Sequence, residues 1–219
     1  MIWLLVGLLL TSVSGIPGLF IDRTKGGGER LACGLVLLGT LLCSWSLLLS
    51  ISNPLQSFSS HWSVPAGQFS LVLDSISVAF IAPLLLVVAT GAIYGLSYWP
   101  QQENPDNGRK LRLFFGLISG AMILIFTARN SVLFLIAWEV MALSGYFLIT
   151  TEDRKADVRQ AGYIYLIATH TGTLALFGLF ALLEQTAGST AFPAVASLPL
   201  AGSSLIFLIG LFGFGMKAG

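Results

Sequence analysis

Seven stretches of this sequence, at about 2–20, 31–51, 75–99, 111–128, 131–149, 161–183 and, incomplete, 204–219, are apolar and almost free of charge. That repetition constrains the fold more than any motif. A helix rises about 1.5 Å per residue, so about 20 apolar residues cross the hydrocarbon core of a bilayer. In lipid every backbone N–H and C=O needs an internal partner, which leaves helices as the reading of such runs. The expected fold is therefore all-α: a polytopic integral-membrane helix bundle of about seven transmembrane helices, one transmembrane domain over residues 1–219. Composition agrees, with 10% charged residues where soluble domains carry about 25%.

The joints between the runs are polar and turn-rich: "IDRTKGGGER", "SNPLQSFSSHWSVPAGQF", "WPQQENPDNGRK", "TTEDRKADVRQ" and "EQTAGSTAFPAVASLPLAGSS". Their charges read most simply as solvated loop residues. Arg23, Lys25 and Arg30, then Arg109, Lys110 and Arg112, then Arg154, Lys155 and Arg159 fall in alternate joints, whereas Arg129 alone marks the other side. The positive-inside rule then places the amino terminus outside. The first run could serve as a signal peptide, but no basic residue precedes it, so it reads as a retained helix.

A net charge of +1 offers no field for nucleic acid. Cys33 and Cys43 lie ten positions apart in one run and cannot bridge on a helix. With only His61 and His170 besides, no metal-ligand or haem spacing exists. Gly91 and Gly95, and Gly116 and Gly120, sit one turn apart and suggest close approach of neighbouring helices.

Three ionisable residues fall inside apolar runs: Glu139, His170 and Lys217. A charge at membrane depth costs a few kcal/mol, so it marks a functional site and needs a partner. Burial favours the neutral forms of a carboxyl and an amine, while their mutual attraction favours the charged forms. A site balanced between those effects can load and release a proton. The alternative for Glu139 is a structural hydrogen bond. For His170, flanked by Thr169, Thr171 and Thr173, a packing role and a relay role stay open. The glycines near Lys217 (Gly213, Gly215 and Gly219) would permit local loosening of its helix; they do not form a phosphate loop, since Ala218 follows the lysine and no strand precedes it. Asp74, Arg129 and Glu184 read as interfacial anchors or loop contacts.

"FLIAWEVMALSGYFLI", "AGYIYLIATHTGTLALFGLF" and "GFGMKAG", with "PAGQFSLVLDSIS" before the third run, resemble the antiporter-like proton-translocating family of respiratory complex I and Mrp antiporters. The likeness is greatest to the large membrane subunit of formate hydrogenlyase and hydrogenase-4 type complexes, and runs from about Pro65 to the carboxyl end. The resemblance implies that Glu139 is the fifth-helix glutamate, Lys217 the seventh-helix lysine paired with it, and His170 a polar residue near the water path. It implies a non-redox subunit without cofactors or metals. Such a subunit would sit in the inner (cytoplasmic) membrane among other membrane and hydrophilic subunits of a NADH dehydrogenase-like or hydrogenase complex, and move protons or sodium. Family members have about fourteen core helices in two inverted repeats, so the sequence corresponds to the first, amino-terminal part of that fold, a fragment or one half of a split product. Two rival readings are a non-conducting structural anchor for such a complex and a Mrp-type cation/proton antiporter subunit.

Overall fold

The computed structural model describes residues 1–21, 26–52, 55–63, 68–192 and 203–218. Arg23, Lys25, Pro65, Gly219 and residues 193–202 of the joint before the seventh run lie outside the described residues. The described chain is helical apart from one hairpin. The helices are α1 (Ile2–Val13), α2 (Gly27–Ser52), α3 (Ser75–Tyr98), α4 (Gly108–Thr127), α5 (Ser131–Ile149), α6 (Ala156–Ala187) and α7 (Ser203–Ala218). The first six runs are long and apolar enough to cross a membrane, and α7 is a shorter apolar helix.

Two helix starts are fixed by the side chain just before them. The Asp74 carboxylate accepts from the Ser77 backbone N–H at 2.8 Å and opens α3. The Asn130 amide oxygen accepts from Val132 and Leu133 and opens α5. At the other end of α6, Gly188 takes φ 68° and its N–H bonds the Glu184 carbonyl at 2.7 Å, a left-handed stop that glycine adopts without a Cβ penalty. The first run is not one α-helix. α1 ends at Val13, and a short 3₁₀ turn at Pro17–Leu19 completes the run, because proline has no N–H to continue the ladder.

The joint before α3, read as a polar loop, contains an antiparallel hairpin of β1 (Gln56–Ser60) and β2 (Phe69–Leu73). Register pairs Gln56 with Leu73 and Ser60 with Phe69. β2 turns Leu71 and Leu73 inward, both fully buried, so the hairpin is fastened to the helix ends by its alternate side chains.

The helices form two layers of contact. α1 packs on α2 and α4, and α2 on α3; α4 then packs on α5, α5 on α6, and α6 on α7. Leu4, Cys43, Leu47, Leu73, Ile81, Leu85 and Ile123 make the core of the first group. Leu135, Leu176, Leu179 and Phe180 make the core between α5 and α6, with Ile206 and Ile209 of α7 against it. Gly116 and Gly120 do admit a neighbour: Cβ atoms there would collide with Thr11, Ser12 and Ser14 beside α4. Gly91 and Gly95 instead make room for side chains, the Phe115 ring and the Arg112 guanidinium.

Charges at the joints divide into two kinds. Arg154 and Lys155 make exposed pairs with Asp106 and Glu152, as solvated loops should. Arg109 and Arg112, by contrast, lie in the first turns of α4 and act as internal ties. Arg109 donates to the Leu19 and Ile21 carbonyls, both at 2.8 Å. Arg112 donates to the Gly95 and Trp99 carbonyls, at 2.8 and 2.9 Å, at the carboxyl end of α3, where the Gly95 carbonyl also accepts the Trp99 N–H. It also pairs with Glu29 of α2 at 3.4 Å, the two side chains being 10% and 9% exposed. On the opposite side Arg129 pairs with Asp74 and its N–H bonds the Ser70 carbonyl, tying the α4–α5 joint to β2.

A candidate proton-relay site

Three of the residues singled out from sequence converge. Glu139 lies near the middle of α5, His170 near the middle of α6, and Lys217 on the last turn of α7. The Glu139 Oε2 is 3.5 Å from the His170 Nε2, and the carboxyl and imidazole are 27% and 44% exposed. Among the described residues His170 is the only basic group within 4 Å of Glu139. Its other carboxylate oxygen, Oε1, is buried without a hydrogen-bond partner among them. Among the described residues Lys217 makes no ion pair with Glu139 within 4 Å; its Nζ donates to the Tyr165 hydroxyl at 3.5 Å.

The His170 ring is oriented by its own helix. Nδ1 lies 3.0 Å from the Leu166 carbonyl; a carbonyl only accepts, so Nδ1 carries a proton. Nε2 is thereby left to face Glu139. The neighbouring threonines do not share in this. Thr169, Thr171 and Thr173 turn their hydroxyls back to the Leu166, Ile167 and Thr169 carbonyls, satisfying themselves within α6.

Helix packing sets the distances. α6 and α7 touch through Gly172 and Gly213: a Cβ on Gly172 would stand 2.9 Å from the Gly213 carbonyl oxygen and 3.0 Å from Met216 Cβ. Gly213 is therefore a contact surface in a helix that runs unbroken to Ala218. On the α5 side, Trp138 packs edge-on against Phe214 at 5.6 Å and stacks on Phe134 at 5.3 Å. Phe214 is one turn before Lys217 and Trp138 adjoins Glu139, so these contacts place α7 beside the carboxylate.

Two pockets occupy the α5–α6 seam on either side of the pair. One, of about 170 Å³, is lined by Ser131, Ile136, Phe177 and Glu184 among others. The other, of about 210 Å³, includes Tyr146, Thr150, Arg159 and Tyr163. Among the described residues no three His, Cys, Asp or Glu side chains converge as a metal site would require. Sequence reasoning missed Trp138 and Tyr165. Trp138 stood in plain view beside Glu139, but a tyrosine in an apolar run carries no comparable signal.

A family profile described as "NADH:quinone oxidoreductase/Mrp antiporter, TM" matches residues 128–219, the segment that holds all three ionisable residues. Over residues 128–219 the chain carries the transmembrane segment of the antiporter-like membrane-subunit family. This antiporter-like chain is 28% identical over 155 residues to hydrogenase-4 component B of Escherichia coli, covering 70% of itself and 23% of that protein. It is 31% identical over 231 aligned positions to NADH-quinone oxidoreductase subunit L of Mycobacterium tuberculosis, covering 95% of itself and 34% of that protein. Its fold matches a chain of the membrane-bound sulfane sulfur reductase, an archaeal respiratory membrane complex, with a TM-score of 0.80 at 18% identity over 97% of this chain and 33% of that one. It also matches a chain of the Mrp complex of Dietzia, with a TM-score of 0.75 at 20% identity over 99% of this chain and 23% of that one. The antiporter-like chain thus spans between about a quarter and a third of the length of these relatives.

Proposed function

We propose that this chain helps move protons across the cytoplasmic membrane as a non-redox subunit of an oxidoreductase complex, of the hydrogenase-4 or formate hydrogenlyase type. Its partners would be the other membrane and hydrophilic subunits of that complex, and its amino terminus would face outside. The observation that carries this reading is the contact between Glu139 and His170 inside two apolar helices, with Lys217 near enough to be felt.

With Nδ1–H committed to Leu166, one proton lies between Nε2 and Oε2. It sits either on the carboxyl, leaving a neutral imidazole, or on the imidazole, leaving a carboxylate. A cation that approaches favours the carboxylate form. Two unit charges about 6 Å apart at an effective dielectric near 20 interact by about 3 kcal/mol, which changes proton occupancy by about a hundredfold. Movement of Lys217 by a few ångströms would therefore drive the shared proton from Glu139 to His170. Coupling to a redox reaction elsewhere then requires only that the reaction move Lys217.

Sealed vesicles containing the whole assembly test this. Glu139→Gln and Lys217→Ala should abolish redox-driven proton movement while the complex still assembles. Wild-type pumping by both variants would overturn the reading and leave the chain a non-conducting anchor. Sodium movement in place of proton movement would assign it to the cation/proton antiporter type.

A further inference from the structure

The ammonium of Lys217 rests on two aromatic side chains from two different helices. Its Nζ lies 5.4 Å from the Tyr165 ring centre on α6 and 5.8 Å from the Trp138 ring on α5. The Tyr165 hydroxyl accepts from it at 3.5 Å. A cation near an aromatic face is attracted by the ring quadrupole, and so can stay charged away from a carboxylate.

The arrangement is built into the packing. Tyr165 reaches this place only because residue 145 is glycine: a Cβ on Gly145 would stand 2.5 Å from the hydroxyl and 3.3 Å from the ring carbon that carries it. Trp138 is held between Phe134 and Phe214, and its indole Nε1 is buried without a partner among the described residues.

We propose that Trp138 and Tyr165 form a holding site for the Lys217 ammonium, with Tyr165 the positioning residue that governs when Lys217 leaves it for Glu139. This rests on the reading of Glu139, His170 and Lys217 as a proton path. The titratable groups facing Lys217 are Glu139 on α5 and Tyr165 on α6, and His170 on α6 faces Glu139 in turn. While Lys217 is held, its charge stands off the carboxylate and Glu139 keeps the shared proton. When Lys217 moves to Glu139, the Oε2–H bond breaks, the Nε2–H bond forms, and neutral imidazole plus carboxylic acid becomes imidazolium plus carboxylate. The buried, unpartnered Oε1 of Glu139 is an acceptor available to the arriving ammonium.

The test compares three variants of the whole assembly in sealed vesicles. Tyr165→Phe keeps the ring and removes only the hydroxyl; it should lower protons moved per redox turnover by about tenfold, the worth of one hydrogen bond to a charged group, without slowing electron transfer. Gly145→Ala should do the same by displacing the hydroxyl. In the double variant the added methyl meets no hydroxyl, so the defect should equal that of Tyr165→Phe alone. Infrared difference spectra between resting and turning-over vesicles supply a second readout: a tyrosine C–O band should be present in wild type and absent in both Tyr165→Phe and Lys217→Ala. Full coupling in Tyr165→Phe, or a tyrosine band that survives in Lys217→Ala, overturns the holding site while leaving the proton path standing. Absence of proton movement in the wild-type vesicles would overturn the path itself.

Discussion

The Glu139 carboxylate and the His170 imidazole meet across the α5–α6 seam at 3.5 Å, with the far nitrogen of the ring tied to the Leu166 carbonyl of its own helix. This tie removes the freedom of the ring to choose tautomers. It leaves Nε2 as the ring nitrogen that faces Glu139.

If the two residues share one proton, removing either destroys the same function. His170→Leu should abolish coupled proton movement as Glu139→Gln does. The double variant should be no worse than either single one, since effects of groups acting as a unit do not add. Additive losses in sealed-vesicle assays would show that the two residues act separately.

Asp74 ties α3, the hairpin and the α4–α5 joint into one corner. Burial raises its pKa, but the bonds from the Ser77 backbone and hydroxyl and the charge and bond of Arg129 outweigh this and hold it below the ordinary 3.8. A carboxyl depressed on folding stabilises above its unfolded pKa, and that contribution is lost as pH falls through the folded pKa. Asp74→Asn should therefore lower the unfolding temperature in detergent at neutral pH. The gap from wild type should close only below pH 3.8, and a gap unchanged down to pH 3 would contradict the linkage.

Glu29 and Arg112 are both about nine-tenths buried, and Glu29 also accepts the Gln101 backbone N–H at 2.8 Å. Removing one partner leaves the other charge buried, at a cost of about 3 kcal/mol. Arg112→Met alone should destabilise by about that much, with Glu29→Gln close behind it. Combined, they should cost less than the sum, which unfolding in detergent can measure as a double-mutant cycle.

Much of the helical frame could be read from apolar runs. The fifth run coincides with Ser131–Ile149 because Asn130 caps it and polar threonines follow. Hydropathy failed where polarity and backbone state part company. It carried the first run past Pro17, and it stopped the sixth at 161–183, although the polar flanks "ADVRQ" and "EQTA" hold the helix formers Ala, Arg, Gln and Glu and α6 extends to Ala156–Ala187. It also passed over the hairpin, whose five-residue strands are too short to signal themselves. In the site, charges inside apolar runs announced Glu139, His170 and Lys217. Which of them touch depends on helix rotation, which charge alone does not encode, and so the 3.5 Å contact to His170 and the part of Tyr165 emerged only from the packed helices.

The α6–α7 contact offers a last, purely steric prediction. At Gly172 an added Cβ meets backbone, the Gly213 carbonyl at 2.9 Å, together with Met216 Cβ at 3.0 Å; at Gly178 on the same helix it meets nothing within 4 Å. Backbone cannot yield as a side-chain tip can, so Gly172→Ala should force α7 outward and cost about 1 to 3 kcal/mol by overpacking. Gly178→Ala should be neutral or stabilise the helix by about 1 kcal/mol, since alanine is the better helix former. Because α7 carries Lys217, Gly172→Ala should also impair coupled proton movement, and Gly178→Ala should not. Unfolding measurements in detergent and vesicle assays on the two variants separate these outcomes, and equal behaviour of the two would show that the close approach of α6 and α7 does not position Lys217.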